Sequence, residues 1–248
     1  MSGHSKWSTI KRKKGAADAK RGAVFTRLSK DITIAAREGG GDLDMNPSLR
    51  LAVKKAKSSN MPSANIERAI KKGTGDLPGI VYENYVYEGY GPGGVAIMME
   101  VMTDNKNRTV PDIRHLMGKY DGNLGESGCV GFQFEKKGII RIENNNVIDE
   151  EKVFDIALES GAEDINTDLS DVIEISTTPD EFGKVSKDLE DQGYNIEGEV
   201  NLVASNSIKL TGSELSKCLK LIDLLEDHDD VQKVYSNVDF DITEISEN

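Results

Sequence analysis

Nine basic side chains crowd into the stretch from Gly3 to Ile32: Lys6, Lys11, Arg12, Lys13, Lys14, Lys20, Arg21, Arg27 and Lys30. Only Asp18 and Asp31 oppose them, a net of +7 in a chain whose formal net charge is −12. Cations at this density suit phosphates. Each phosphate neutralised releases condensed counterions, so binding is strong at low salt and falls steeply as salt rises. The rival use is internal, with the positive charge docking onto the acidic remainder of the chain. Trp7, the single tryptophan, lies among these cations. Its indole is expected either to pack on a helical bundle or to stack on an exposed base.

The charge divides along the chain. Residues 1–75 hold 17 Lys and Arg against 6 Asp and Glu, a net of +11. The rest holds 14 against 37, a net of −23. The boundary falls near Gly73–Gly79, GTGDLPG, which has the glycines and proline of a linker. A basic module on an acidic body points to a polyanionic partner for one face.

Three amphipathic helices must position those cations. Over 20–37, Val24, Leu28, Ile32 and Ala35 share one face, widened by Phe25, with Lys20, Arg27, Lys30 and Arg37 opposite. Gly39-Gly40-Gly41 ends that helix. A second opens at Asn46-Pro47, a capping residue followed by proline at the first helical position. It turns Leu49, Val53 and Ala56 inward and carries Arg50, Lys54 and Lys57 as a basic stripe. A third starts near Pro62-Ser63, buries Ile66, Ala69 and Ile70, exposes Arg68, Lys71 and Lys72, and ends at Gly73. The segment before them, poor in apolar residues, reads as a flexible arm that orders on a partner.

The acidic body reads as two α/β units. A strand pair spans 82–103, its second strand apolar enough to be buried on both faces, and a helix follows over 107–120. Strands at 138–143, 163–168, 171–176 and 194–203, with helices at 150–160 and 179–192, then follow in the order β-α-β-β-α-β, the ferredoxin-like pattern. A final β-α-β tail, with its last strand at 231–240, completes the first strand pair and helix. The expected fold class is therefore α+β: a basic N-terminal helical bundle followed by two ferredoxin-like α/β domains, one inserted in the other. The domains fall at 1–78, at 79–131 plus 206–248, and at 132–205.

Other chemistries find little support. His4, His115 and His228 have no metal-ligand spacing, and the acidic cluster around His228 lacks the pattern of a calcium loop. Gly89-Tyr-Gly-Pro-Gly-Gly joins two strands and reads as a tight connection rather than a phosphate cradle. Cys129 and Cys218, far apart and outside any CxxC, suit a reducing compartment. No run of about 18 apolar residues suggests a membrane span. The N-terminus lacks the apolar stretch of a secretory signal. Neither a transit peptide nor a nuclear signal at Lys11–Lys14 is as well supported as a basic module of the fold.

Six stretches, in order, carry a resemblance. They are Gly3-His-Ser-Lys-Trp, Lys13-Lys-Gly-Ala-Ala-Asp-Ala-Lys-Arg, Ser63-Ala-Asn-Ile-Glu-Arg-Ala-Ile-Lys-Lys-Gly, Tyr87-Glu-Gly-Tyr-Gly-Pro-Gly-Gly-Val-Ala, Thr103-Asp-Asn-Lys-Asn-Arg-Thr and Gly122-Asn-Leu-Gly-Glu-Ser-Gly-Cys-Val-Gly. The chain resembles the YebC/PmpR family, which includes the mitochondrial translational activator of cytochrome oxidase. The resemblance implies three domains, a non-enzymatic protein without cofactor, and a bacterial cytoplasmic location, since the first motif starts at residue 3. Family members are described either as DNA-binding transcriptional regulators or as ribosome-associated factors that help translation through proline-rich stretches.

Two partners therefore stand open, DNA and ribosomal RNA, possible ribosome contacts included; no membrane or small-molecule substrate is expected, and a monomer is favoured. The expected nucleic-acid contacts are Lys6, Trp7, Lys11, Arg12, Lys13, Lys14, Lys20, Arg21, Arg27, Lys30, Arg50, Lys54, Lys57, Arg68, Lys71 and Lys72. A scaffold or enzyme whose basic module docks only internally is the contrasting expectation. Lys106 and Arg108 lie beside an asparagine cap and read first as parts of a helix start.

Overall fold

A computed structural model describes residues 7, 19–77, 82–143, 148–169, 172–241 and 244. The basic module folds as three helices, α1 (Ala19–Gly39), α2 (Pro47–Ser58) and α3 (Ser63–Thr74). The Asn46 side chain accepts the Leu49 amide at 3.0 Å, capping α2 as the Asn-Pro pair predicts. Its own amide donates to Ala35 O at 2.7 Å and Gly40 O at 2.8 Å. One buried side chain thus ties the end of α1 to the start of α2. Leu28, Ile32, Leu49, Val53, Ala56, Ile66 and Ala69 form the core between the helices. Each fully buried Leu or Ile contributes about 1.5–3 kcal/mol through apolar burial. Gly73 lets α3 lie against α1: a Cβ there would meet Thr33 O at 2.4 Å.

The body begins with β1 (Glu83–Tyr90), β2 (Ala96–Thr103), α4 (Lys106–Lys119) and β3 (Asn123–Leu124). Next come β4 (Phe134–Glu143), α5 (Glu150–Ser160), β5 (Ala162–Leu169), β6 (Val172–Thr177), α6 (Phe182–Asp191) and β7 (Ile196–Ala204). The described chain closes with β8 (Ile208–Lys209), α7 (Gly212–Asp227), β9 (Val231–Ser236) and β10 (Val238–Asp239).

One sheet runs β3-β1-β2-β9, with Val86 opposite Glu100 and Met99 opposite Val234. β2 pairs with β9, so strands from before and after the long insertion share a sheet. β2 is buried on both faces. Ile97, Met99 and Val101 pack under α4 and α7, while Ala96 and Met98 pack with Val130, Phe134 and Tyr235. The second sheet runs β5-β6-β4-β7, antiparallel throughout, the order expected of a ferredoxin-like unit. Its core joins Ile140, Ile142, Ile173 and Ile175 to Val153, Ala157, Val185 and Leu189 of α5 and α6.

Several boundaries differ from expectation, two of them for a packing or hydrogen-bonding reason. β4 starts at Phe134 rather than Gly138, because residues 134–137 pair with β7 alone and Phe134 buries against the first sheet. The last strand, expected over 231–240, breaks at Asn237, whose buried Oδ1 accepts the Ala96 amide at 2.8 Å. In the β1–β2 connection, Gly93 has φ 66° and a Cβ there would sit 2.5 Å from Leu210. A non-glycine residue is strained there twice over.

Candidate nucleic-acid interface

α1 is the central helix of the bundle, with α2 and α3 packed against it. Their outward faces carry the basic stripes. Arg50, Lys54 and Lys57 on α2 are exposed, as are Arg68, Lys71 and Lys72 on α3. Among the described residues none of the six forms an ion pair; Arg50 only touches Asp44 O at 3.4 Å. Lys57, Lys71 and Lys72 lie in last helical turns. There they also complement the helix dipole, worth about 0.3–1 kcal/mol each. That effect does not require six unpaired charges of one sign. Between α1 and α3 a cleft of about 270 Å³ is lined by Thr26, Ser29, Asn65, Arg68, Lys72 and Tyr82. Its wall offers donors suited to a phosphate.

Several expected contacts belong elsewhere. Lys30 is removed from the set. It is 4% exposed, and its Nζ donates to Asp230 Oδ1 at 2.8 Å, Asp229 O at 2.8 Å and Met102 O at 3.0 Å. The face of α1 that the periodicity assigns to solvent is covered there by the body. Arg27 is half-buried in the same seam, where burial lowers its pKa against the fields of Glu226, Asp227 and Asp229. It too faces the body rather than a partner's phosphates. Trp7 is half-buried against the first sheet's core rather than the bundle, and its Nε1 is buried without an acceptor among the described residues. Lys20 and Arg21 lie on α1, with their side chains outside the description. Lys6, Lys11, Arg12, Lys13 and Lys14 lie outside the described residues.

Sequence reasoning missed the group that fixes the bundle to the body. Asp230 Oδ2 accepts from Arg108 Nη2 at 2.8 Å, Thr109 Oγ1 at 2.7 Å and Thr103 Oγ1 at 3.2 Å. Burial pushes the Asp230 carboxyl up, but the hydrogen bonds from Lys30, Arg108 and Thr109 outweigh it and hold the group well below the carboxylate range. Asn105 caps α4 by accepting the Arg108 amide at 3.2 Å, as the helix-start reading of that motif expects. His228 Nδ1 accepts the Asp230 amide at 3.1 Å and serves the same corner. Among the described residues no group of three potential metal ligands gathers.

A second carboxylate explains the glycine-rich 122–131 segment. Glu88, 7% exposed, accepts the amides of Gly128 at 2.8 Å, Val130 at 2.8 Å and Gly131 at 2.7 Å. Burial raises its pKa, and these three N–H groups reverse the shift and lower it. The loop is a nest folded around one charge. Cys129 and Cys218 are free thiols, and burial pushes the Cys218 thiol up to about 12.

No described helix is long and apolar enough to cross a membrane. The model of the TACO1/YebC protein N-terminal domain matches residues 5–76, and that of the TACO1/YebC second and third domain matches 82–238. A Geotalea uraniireducens protein is 55% identical over 245 residues, covering 98% of this chain and 97% of its own length. One from Thermotoga maritima is 50% identical over 247 residues, covering 100% and 97%. Both are named probable transcriptional regulatory proteins. The crystal structure of a conserved hypothetical protein from Aquifex aeolicus is similar with a TM-score of 0.78 at 42% identity, covering 90% of this chain and 92% of that one.

Proposed function

The chain belongs to the TACO1/YebC family, and on that premise we propose that it is a non-enzymatic, cytoplasmic regulator that binds DNA through the outward faces of α2 and α3. The names of its relatives support a role in transcriptional regulation. One observation carries the binding reading: Arg50, Lys54, Lys57, Arg68, Lys71 and Lys72 are exposed cations with no ion-pair partner among the described residues. They belong to a module of net +11 joined to a body of net −23. The body repels a polyanion and orients the module toward it. Lys6, Lys11, Arg12, Lys13, Lys14, Lys20 and Arg21 add phosphate contacts from the N-terminal side. Domain divisions at 1–78, 79–131 with 206–248, and 132–205 belong to the same proposal, as does a monomeric state.

Contacts of this kind supply affinity and register but little sequence information. That favours a second partner, ribosomal RNA. The six cations and the α1–α3 cleft spread over several helices, which suits the irregular phosphate surface of folded RNA better than a groove read by one helix.

Crosslinking in cells, followed by sequencing of the attached nucleic acid, tests both. The wild type is compared with a variant carrying alanine at the six positions. Reads lost in the variant and concentrated upstream of genes support DNA regulation. Reads lost in the variant and concentrated in ribosomal RNA assign the protein to translation. Equal reads in both proteins overturn the α2–α3 interface.

A further inference from the structure

Arg27 and Asp31 stand one turn apart on α1, the i, i+4 spacing at which opposite charges usually meet. Here neither forms an ion pair among the described residues, and Arg27 Nε is buried without an acceptor. Both instead line a cleft of about 580 Å³ between the bundle and the first sheet. Burial pushes the Asp31 carboxyl up, and the fields of Lys55, Lys233 and Arg27 only partly oppose it.

The facing wall supplies two further features. Gln232 Nε2 is buried and also lacks an acceptor. Val86 and Met102 provide apolar surface, with Val86 52% exposed, and Leu28 of α1 adds to it from the other side. Of the remaining charges, Lys233 donates to Glu199 and Asn201 at 2.7 Å each and Glu100 accepts from Tyr235 at 3.2 Å, while Lys55 of α2 is an exposed cation at the rim. Unsatisfied buried donors are uncommon in folded proteins, and two of those in this protein lie on opposite walls of this cleft, where one acceptor-bearing ligand serves both.

A polyanion would gain from Arg27 and lose at Asp31. An extended peptide suits both, because carbonyl acceptors and N–H donors alternate along it. The volume lies in the range of small-ligand pockets. We propose that this cleft binds a short extended peptide with apolar side chains, its carbonyls accepting from the Arg27 guanidinium and the Gln232 amide and one of its N–H groups donating to Asp31. Because its walls come from both the bundle and the body, the peptide clamps the two together. The site is separate from the outward faces of α2 and α3.

The test is an amide NMR titration of the full chain with N-acetyl-Ala-Val-Leu-Ala-amide, with adenosine monophosphate as the comparison. Saturable shifts confined to residues 24–31, 84–86, 100–102 and 232–233 are expected with the peptide and absent with the nucleotide. Arg27→Met and Asp31→Asn each weaken binding about tenfold or more, consistent with the loss of a charge-assisted hydrogen bond. Arg50→Ala leaves it unchanged. Asp31→Asn preserves shape, so the test stands even if Arg27→Met perturbs folding. No saturable shift at millimolar peptide, wild-type affinity in both cleft variants, or shifts from the nucleotide alone would overturn the proposal.

Discussion

Lys30 Nζ lies 2.8 Å from Asp230 Oδ1, 200 positions later in the chain, with both side chains 5% exposed. The pair joins a helix of the basic module to the acidic C-terminal part of the body. It turns part of the charge asymmetry inward and leaves the cations of α2 and α3 facing out.

Removing one partner of such a pair leaves a buried charge short of a partner. Lys30→Met is expected to destabilise the attachment of α1 to the body by about 3 kcal/mol, the low end for a broken buried pair. Arg108 and Thr109 still hold Asp230, which keeps the loss from being larger. Hydrogen exchange of α1 amides should quicken by about a hundredfold, the equivalent in populations. An unchanged exchange rate would show that packing alone holds the bundle.

Acid should release the same contact. The folded Asp230 carboxyl titrates below its unfolded value of about 3.9. Its stabilisation is therefore complete above about pH 5 and is lost as pH falls through the unfolded and then the folded value. Urea unfolding of wild type and Asp230→Asn should differ most at pH 6–7, and the gap should narrow steadily from pH 5 to pH 3. A constant gap would contradict the role of the ionised form.

Glu88→Gln places an amide where three backbone N–H groups converge on a carboxylate. A cost of about 1–3 kcal/mol is expected, because buried donors lose a charged acceptor. The effect should be local, with amide protection falling at 125–131 before the rest of the first sheet.

Two glycines on helices should respond with opposite sign. Alanine is the better helix former, by up to about 1 kcal/mol. Gly183 on α6 has nothing within 4 Å of an added Cβ, so Gly183→Ala should stabilise slightly. At Gly73 the added Cβ meets Thr33 O at 2.4 Å and Ala36 Cβ at 2.6 Å, so Gly73→Ala should destabilise by pushing α3 off α1. Thermal melts of the two variants decide the signs.

The features legible in the sequence are those with local signals. The Asn46 cap, the inward Leu49, Val53 and Ala56, the doubly buried β2 and the β-α-β-β-α-β order each follow from a turn signal or an apolar period. Lys30 could not be placed that way. Periodicity locates it opposite Leu28 and Ile32, but a helix with covering layers on two sides buries both faces, and Asp230 comes from the far end of the chain. Trp7 fails for the same reason, since its apolar partners lie in the body. Glu88 left one clue, the run of small residues at 122–131, but no local rule names the charge that such a nest surrounds. The exposure of the six cations on α2 and α3 was legible because their helices are covered on one side only.

The most direct measurement of the central claim is the salt dependence of binding to a DNA duplex and to a folded ribosomal RNA fragment, for the wild type and the six-site alanine variant. The log–log slope scales at about −0.9 per phosphate contact on duplex DNA and about −0.7 on single strands. The account predicts a steep slope for the wild type on at least one of the two ligands and a clearly shallower one for the variant, with melting temperatures alike. Equal slopes and affinities would contradict it and leave the positive charge of this chain to its own interior contacts.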